Sequence, residues 1–252
     1  MSSRAAQSPY RNKAGAAPEG KSQHARIVRE LGMRILGGEL APGVRLPAEA
    51  ALIEKYEVSR PVLREAVRVL VAKGLVQSRQ RAGAIVRPRN EWHLLDPDVL
   101  YWMIQTRPAP EFVQTLMGMR RVFEPGAAAL AARAASDEQL ADIAQAYEDM
   151  ATAADVDALL EPDLAFHRRI AEATGNDLMA YIGTMLSLAL RESIKLSSRL
   201  PNTHALSLPR HKAILTALQA RDAAAAHQAT VLQLDAAQQD LSAVISTGID
   251  LH

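Results

Sequence analysis

The chain has 252 residues, of which 48% are hydrophobic and 23% charged, and it contains no cysteine. The length is sufficient for two domains. The absence of cysteine excludes a disulfide framework and thiolate chemistry. The start of the chain lacks an apolar leader and no apolar run reaches the ~20 residues that span a bilayer, so we expect a cytoplasmic protein with no membrane partner.

The net charge of +1 combines two regions of opposite sign. Residues 1–90 carry 17 Lys and Arg against 7 Asp and Glu, a net charge of +10. Residues 91–252 carry 12 against 21, a net charge of −9. A basic region of this kind is typical of nucleic-acid binding. The charge pattern therefore predicts a DNA-binding first part and a second part with another task.

The first 89 residues predict a disordered arm and a small winged domain. Residues 1–21 are small and polar, which favours disorder. Helices are predicted at Ser22–Leu36, Leu46–Val58 and Val58–Gly74, and strands at Leu75–Ser78 and Ala84–Arg87. Ser22 is expected to cap the first helix and Pro47 to open the second. Three helices followed by a hairpin predict a winged helix-turn-helix over residues 22–89.

The third predicted helix has two different faces. Its arginines recur every four residues and line one exposed row: Arg60, Arg64 and Arg68. Its apolar stripe consists of Leu63, Ala66, Val67, Leu70 and Val71. Ser59 is a favourable N-cap for this helix. The row fits either a solvated basic face or a helix that reads a DNA groove, and the basic hairpin tip behind it, with Arg79 and Arg81, favours DNA.

The residues in this region are similar to a known family. The runs PGVRLPAEAAL, VSRPVLREAVRVLVAKGLV and RAGAIVRPR resemble the N-terminal domain of the GntR family of bacterial transcription regulators. The resemblance implies binding to double-stranded operator DNA through the residues that match Arg45, Ser59, Arg60, Arg64 and the wing around Gly83. Ala50 stands where some members carry a phosphate-contacting arginine, so that contact is expected to be lost.

The rest of the chain predicts a linker and then helices throughout. The linker, residues 90–110, carries a short helix that starts at Asp96 or Pro97, and both tryptophans are expected to be buried. The later helices are predicted at Glu111–Arg133, Ser136–Ala153, Asp157–Thr174, Asn176–Ser198, Ala205–Ala220 and Asp222–Ile245. The expected fold class is mainly α: a winged helix-turn-helix followed by an all-α antiparallel helical bundle over residues 111–247.

One group of residues in the bundle indicates a metal site. Asp163 and His167 lie four residues apart in DLAFH and share a helix face, and His211 lies on a later helix. A carboxylate and two imidazoles that converge in a bundle form a good site for a divalent metal. Spacing alone leaves a simple hydrogen-bonded Asp–His pair as the alternative.

A second resemblance concerns this region. The blocks MRRVFEPGAAALAARAASDEQL, DLAFHRRIAEATGNDLM and RHKAILTALQARDAAAA resemble the FCD effector domain of the FadR subgroup of GntR regulators, over about residues 112–241. The resemblance implies Zn²⁺ or a similar ion bound by Asp163, His167 and His211. The family's fourth histidine falls at or near Gln233, and His227 is the nearest histidine. Amide oxygen is a poor zinc ligand, so two alternatives stay open: a three-ligand metal with open positions, or a pocket that binds the effector without metal.

The expected effector is a small carboxylate, in particular a sugar acid. Its carboxylate and adjacent hydroxyl can chelate a metal with open positions, and the linker PRNEWHLLDPDVLYW resembles that of galactonate-type, sugar-acid regulators. Arg120 matches a family arginine that can face the pocket. Arg191, Asn176 and Gln233 are further effector-binding candidates. The structural alternatives are an ion pair for either arginine and a helix cap for Asn176.

The leading hypothesis is a homodimeric, ligand-responsive transcription regulator, because two copies double the contacts with a two-fold operator. Repression is the commoner outcome in the family it resembles. One alternative is a metal-dependent hydrolase fused to a DNA-binding module, but we find no HExxH, no nucleophile elbow and no general base beside the metal ligands. Another is an architectural DNA-binding dimer without an effector, against which the pocket residues argue. We expect no enzymatic activity.

Overall fold

The computed structural model describes residues 23–79, 83–106, 109–197 and 203–246. The predicted disordered arm, the predicted cap Ser22 and the wing-tip Arg81 lie outside these ranges. The chain divides into two compact units between Trp92 and His93, within the predicted linker. The first unit contains α1 (Gln23–Leu36), α2 (Glu49–Tyr56), α3 (Arg60–Ala72), β1 (Val76–Arg79), β2 (Gly83–Val86) and a 3-10 turn at Arg89–Glu91. The second contains α4 (Pro97–Thr106), α5 (Ala109–Ala134), α6 (Asp137–Ala151), α7 (Val156–Glu172), α8 (Asp177–Ser197), α9 (Thr203–Gln219) and α10 (Ala223–Ser246).

The core of the first unit lies between α1 and α3. Residues that recur at intervals of three and four on α1 are fully buried, among them Ile27 and Leu31. Leu63, Ala66 and Leu70 form the buried stripe of α3. The predicted stripe was too wide, because Val67 is only partly buried and Val71 is exposed, beyond the edge of the contact with α1.

The second helix begins at Glu49, three residues later than predicted. The reason is a hydrogen bond from the backbone N–H of Leu46 to the carbonyl of Ala84, 2.9 Å long, which holds this segment extended beside the wing. Pro47 therefore precedes the helix instead of opening it. At the other end, α2 ends at Tyr56, because the next residue, Glu57, adopts a left-handed backbone conformation with φ of 54°.

The wing is an antiparallel hairpin with one further extended segment. β1 pairs with β2 in a register that places Val76 opposite Val86 and Arg79 opposite Gly83. Arg45 makes an additional antiparallel bridge to Ile85. The segment before α2, which the sequence indicates only as the end of a turn, therefore lengthens the wing and carries Arg45 to its edge.

The second unit is a helical bundle whose main core consists largely of alanine and larger aliphatic residues. Phe166 of α7 is fully buried in a core to which α5, α6, α9 and α10 also contribute. α7 and α8 approach closely, since a Cβ added at Gly183 would lie 2.4 Å from the Cβ of Ala171. The predicted capping box at Ser136 and Gln139 is present, with both reciprocal hydrogen bonds. The fold class predicted from the sequence is confirmed.

The short helix predicted in the linker belongs to this second unit. α4 begins at Pro97, and the Asp96 carboxylate accepts hydrogen bonds from the backbone N–H groups of Asp98 and Val99. α4 packs against α8. Trp102 on α4 and Trp92 at the end of the first unit are both buried, as the sequence predicts.

Candidate nucleic-acid interface and candidate metal centre

The arginine row of α3 is exposed and loosely held. The Arg64 side chain is 68% exposed and lies 3.6 Å from Glu49, while that of Arg68 is 79% exposed and lies 3.3 Å from Glu65. Arg60 is exposed at the first position of the helix. Exposed ion pairs of this type contribute only about 0–1 kcal/mol, so these guanidinium groups can exchange a carboxylate for a phosphate at little cost.

The start of α3 also leaves groups available to a ligand. Ser59 occupies the N-cap position with extended backbone, but its side chain makes no capping hydrogen bond. Its hydroxyl is exposed at the positive end of the helix dipole, a favourable place for a phosphate. Ser59 thus has the predicted position and lacks the predicted capping contact.

The wing carries a second set of the predicted DNA-contacting residues. Arg45 is exposed next to β2, a position that no local pattern in the sequence indicates. Gly83 starts β2 with φ of 76°, a conformation that favours glycine, and a Cβ there would meet nothing within 4 Å. The Arg79 side chain and all of Arg81 lie outside the described residues.

In the second unit Asp163, His167 and His211 converge as the sequence predicts. His167 Nε2 lies 3.3 Å from Asp163 Oδ1, and His211 Nε2 lies 3.4 Å from His167 Nε2 and 3.9 Å from Asp163 Oδ1. All three residues are buried or nearly so. Ligands held about 2.0–2.2 Å from a tetrahedral ion lie about 3.3–3.6 Å apart, so two of these spacings fit a divalent metal and the third, 3.9 Å, is slightly longer.

Each histidine is oriented by a contact to its other ring nitrogen. His167 Nδ1 lies 3.2 Å from Glu124 Oε2, and His211 Nδ1 lies 3.0 Å from the carbonyl of Ser207, one helical turn earlier. With Nδ1–H donated to these acceptors, both Nε2 atoms face the common centre, the arrangement found in metal-ligating histidines.

A buried ion pair supports this cluster from α5. Arg120 Nε lies 2.5 Å from Glu124 Oε1, and the two residues are only 4% and 7% exposed. The ion-pair alternative for Arg120 is therefore present, although Arg120 also lines the cavity beside the histidines. Asp163 and Glu124 are negatively charged, and Arg120 and His167 are positively charged. The net charge of these four groups is therefore zero.

The pKa values follow from this charge arrangement. Burial would lower the pKa of His167, but the carboxylates of Glu124 and Asp163 outweigh burial and raise it to about 9. Burial lowers the pKa of His211 to about 4, only partly opposed by Asp163. Burial would raise the pKa of Glu124, yet Arg120 and His167 hold it well below its usual range. Two histidines in one cluster thus differ in charge at neutral pH.

Glu124 was missed in the sequence, although a signal for it exists. Three helices that contribute to the cluster each contain an internal proline close to their cluster residue: Pro125 on α5, Pro162 on α7 and Pro209 on α9. Proline in a helix interior removes one backbone hydrogen bond and is unfavourable there. An acidic residue or a histidine close to a proline inside a predicted helix was therefore the signal that could have pointed to Glu124.

Gln233 occupies the side of the cluster where the FCD resemblance places a fourth histidine. It is 5% exposed on α10, and its Nε2 lies 3.4 Å from His211 Nε2. Among the residues that the structure describes, its Oε1 has no hydrogen-bond partner. The cluster therefore offers three ligands of the types that zinc prefers, with an amide beside them.

Two other effector candidates lie elsewhere. Arg191 forms an ion pair of 2.6 Å with the exposed Glu161, and Asn176 caps α8 through hydrogen bonds from the N–H groups of Leu178 and Met179. Neither belongs to the described lining of the cavity beside the cluster. His227, the nearest histidine to Gln233, is exposed on α10. The cavity itself measures about 50 Å³ and extends from the histidines to Arg210 and Asp240.

Comparison with known proteins identifies both units. Residues 23–86 match the family described as bacterial regulatory proteins, gntR family, and residues 115–236 match the FCD domain. The chain is 32% identical over 225 residues to the galactonate operon transcriptional repressor of Escherichia coli K12, covering 87% of this chain and 96% of that protein. The chain belongs to the GntR family of transcription regulators and carries an FCD domain.

Further relatives of this GntR regulator agree. It is 31% identical to the transcriptional repressor NanR of Salmonella newport, over 78% of this chain and 76% of that one. Its fold is similar to that of Lar, which controls the expression of the Listeria monocytogenes agr system, with a TM-score of 0.63 and 19% identity over 89% of this chain and 99% of Lar. The relatives are named as transcription regulators and not as enzymes, as expected from the sequence, and the GntR domain at residues 23–86 implies operator DNA binding. In the described part of the chain no helix is long and apolar enough to cross a membrane.

Proposed function

We propose that this GntR regulator is a homodimeric repressor whose operator binding is controlled by a hydroxy acid at a metal ion held by Asp163, His167 and His211. The carrying observation is the buried trio, whose ligand atoms lie within 4.8 Å of one another. The contacts of His167 to Glu124 and of His211 to Ser207 support it, because they aim both Nε2 atoms at one point. A divalent ion there supplies a Lewis acid with open positions for oxygen ligands.

Charge balance favours a carboxylate effector. The buried groups Arg120, Glu124, Asp163 and His167 are neutral together, and a divalent ion that replaces one proton of His167 leaves them at +1. A buried net charge is costly, and a ligand with one negative charge removes it. Arg120 lines the same cavity and supplies a further cation for that carboxylate.

The relatives favour a sugar acid within that class. One relative is named for the galactonate operon that it represses, and galactonate is a polyhydroxylated monocarboxylate. Two relatives are named as repressors, which supports repression as the output here. A homodimer is proposed because a single winged domain reads few base pairs, whereas two copies read a two-fold operator.

The size of the cavity suggests how the signal arises. About 50 Å³ is small beside the ~300–1,000 Å³ of typical ligand pockets. A sugar acid therefore needs the helices around the cluster to move apart, so it binds an opened conformation better than the one described. A ligand shifts a conformational equilibrium only through such differential affinity.

The test is operator binding by the full-length protein, on a duplex selected from random sequences with the metal-free protein. Fluorescence anisotropy is measured with and without Zn²⁺ and with galactonate, for the wild type, His211→Ala and the exposed-histidine control His227→Ala. We expect galactonate with Zn²⁺ to weaken operator binding by the wild type and the control, and His211→Ala to bind the operator without responding. A normal response from His211→Ala would contradict the proposed site. No response of the wild type to any aldonate, with zinc bound, would contradict the effector class.

A further inference from the structure

Two buried polar atoms that lack partners border the same cavity. Gln233 Oε1 and Arg210 Nε have no hydrogen-bond partner within the described ranges of the chain, and both residues line the cavity. Gln233 is more than nine-tenths buried, so bulk water does not serve its oxygen. One atom is an acceptor and the other a donor, and buried groups of either kind favour a ligand that pairs with them.

These two residues mark two ends of the cavity. Gln233 lies beside His211, at the metal end. Seven residues further along α10, Asp240 lies on the same face, about 10 Å away along the helix axis. Arg210 Nη2 lies 3.6 Å from Asp240 Oδ2, a separation longer than a hydrogen bond, and so defines the distal end. Between them the wall of α10 is Ala237, whose short side chain leaves space.

The chemistry of this lining is that of hydroxyl recognition. A hydroxyl group donates to an amide or carboxylate oxygen and accepts from a guanidinium N–H. Gln233 and Asp240 on α10 and Arg210 on α9 supply these partners, and Ser193 on α8 also lines the cavity. An extended chain advances about 1.2 Å per bond, so a six-carbon acid reaches about 6–7 Å from its carboxylate toward Arg210, whereas a two-carbon acid ends near Gln233.

We propose that Gln233, Arg210 and Asp240 form a hydroxyl-reading subsite that selects polyhydroxylated acids of about five or six carbons over short hydroxy acids. This inference rests on the proposed function, since the carboxylate and its neighbouring hydroxyl are taken to lie at the metal end. Arg210 and Asp240 determine the preference for long acids over short ones, whereas the three metal ligands contribute to the affinity for every hydroxy acid.

The experiment compares two probes on the full-length, zinc-loaded protein by isothermal titration calorimetry. Galactonate extends about 6–7 Å from the metal end toward Arg210, whereas glycolate stays at the metal end. Arg210→Met keeps an unbranched, flexible side chain and removes the guanidinium donors. Arg168→Met is the matched control, because Arg168 is also adjacent in sequence to a cluster histidine and forms a loose ion pair of 3.5 Å, with Glu172, away from the described cavity lining.

We expect Arg210→Met to weaken galactonate binding tenfold or more and to change glycolate binding less than twofold, with zinc affinity unchanged. Gln233→Leu should reduce the preference for galactonate in the same direction, and Arg168→Met should leave both acids unaffected. Equal losses for both acids, or a loss of zinc, would show that Arg210 acts through the fold and would overturn the subsite.

Two further outcomes separate this inference from the function on which it rests. If the wild type binds glycolate as tightly as galactonate and Arg210→Met changes neither affinity, the subsite is wrong while the hydroxy-acid effector stands. If the zinc-loaded wild type binds neither acid, the proposed function fails and the subsite fails with it.

Discussion

The two units place their charges in opposite environments. On α3, Arg64 and Arg68 are mostly exposed, and their carboxylate partners are exposed as well. In the bundle, Arg120 and Glu124 are buried and pair with each other, and the buried Asp163 pairs with His167. Exposed pairs are weak and exchange readily, whereas breaking a buried pair leaves an uncompensated charge. Solvent exposure therefore suits the arginine row to binding a polyanion, and burial suits the cluster to sensing a single added charge.

The largest effect expected from this contrast is that of Glu124→Gln. The substitution keeps the side-chain volume and leaves Arg120 buried without its carboxylate, so it should lower the free energy of unfolding by about 3–5 kcal/mol. It should also weaken zinc binding about 10–100-fold, because the acceptor of the His167 Nδ1–H loses its negative charge. Urea denaturation and zinc titration measure both. A change in stability below about 1 kcal/mol would contradict the view that the buried pair matters more than the exposed ones.

The matching substitution on the exposed side is Arg60→Ala or Arg64→Ala. If the arginine contacts a base, its removal should weaken operator binding by about 1–3 kcal/mol. If it contacts a phosphate, its removal should reduce the slope of log affinity against log salt concentration by about one. Stability should change by less than about 0.5 kcal/mol, because both side chains are exposed. Arg133→Ala, an exposed arginine of the bundle, is the control. Unchanged operator affinity at physiological salt would contradict the role given to α3.

A third test of the buried side is the pH dependence of zinc binding. The pKa of His167 is raised to about 9 before metal binds, whereas that of His211 is lowered to about 4. At pH 7 only His167 must lose a proton to become a ligand, so zinc affinity should rise about tenfold per pH unit up to about pH 9. Calorimetry in buffers of different ionisation enthalpy should show one proton released. Two protons, or none, would contradict the charge arrangement.

The metal-free protein should show a different pH profile. The folded-state pKa of His167 is raised above the unfolded value of about 6.5, so its contribution to stability is full below pH 6.5 and is lost as pH rises toward 9. The pKa of His211 is lowered, so the unfolded state binds that proton first and stability falls as pH drops from about 6.5 toward 4. Denaturation measured at several pH values in the presence of a chelator should show that the summed contribution of the two histidines to the free energy of unfolding is largest near pH 6.5.

The smallest effect is expected for Arg191→Ala. Arg191 pairs with an exposed carboxylate, so its removal should change stability by about 0–1 kcal/mol. It should leave the galactonate response intact, since Arg191 lies outside the described cavity lining. A loss of response would restore Arg191 as an effector ligand and would require a binding site larger than the cavity seen here.

Much of the architecture was predictable from the chain because local signals act over short distances. The periodicity of α3 and the Ser136 capping box each depend on residues within one or two turns. The pairing of Arg45 with Ile85 and the late start of α2 were not predictable, because they depend on a hydrogen bond between residues 38 positions apart, Leu46 and Ala84. Long-range backbone pairing leaves only a weak trace in either strand.

The candidate site divides in the same way. Asp163 and His167 are one helical turn apart, so the sequence placed them on one face, and the histidine of RHKAIL could be added by resemblance. Arg210 became visible only when α9 and α10 packed around one cavity, and the proline beside Glu124 did not by itself show that Glu124 contacts His167 and Arg120. Arg191 and Asn176 resembled site residues in the sequence and proved to serve an exposed ion pair and a helix cap.

By itself, the sequence determined which segments are helical, which helix carries a cationic face, and which three residues are candidates for a metal site. Each of these follows from spacing along one helix, or from residue types that recur in a fixed order. The tertiary structure alone decided which charges are buried together, and therefore which histidine carries a proton and which arginine borders the cavity. The physical reason is that pKa and burial depend on groups brought together from four helices, and no local pattern encodes that environment.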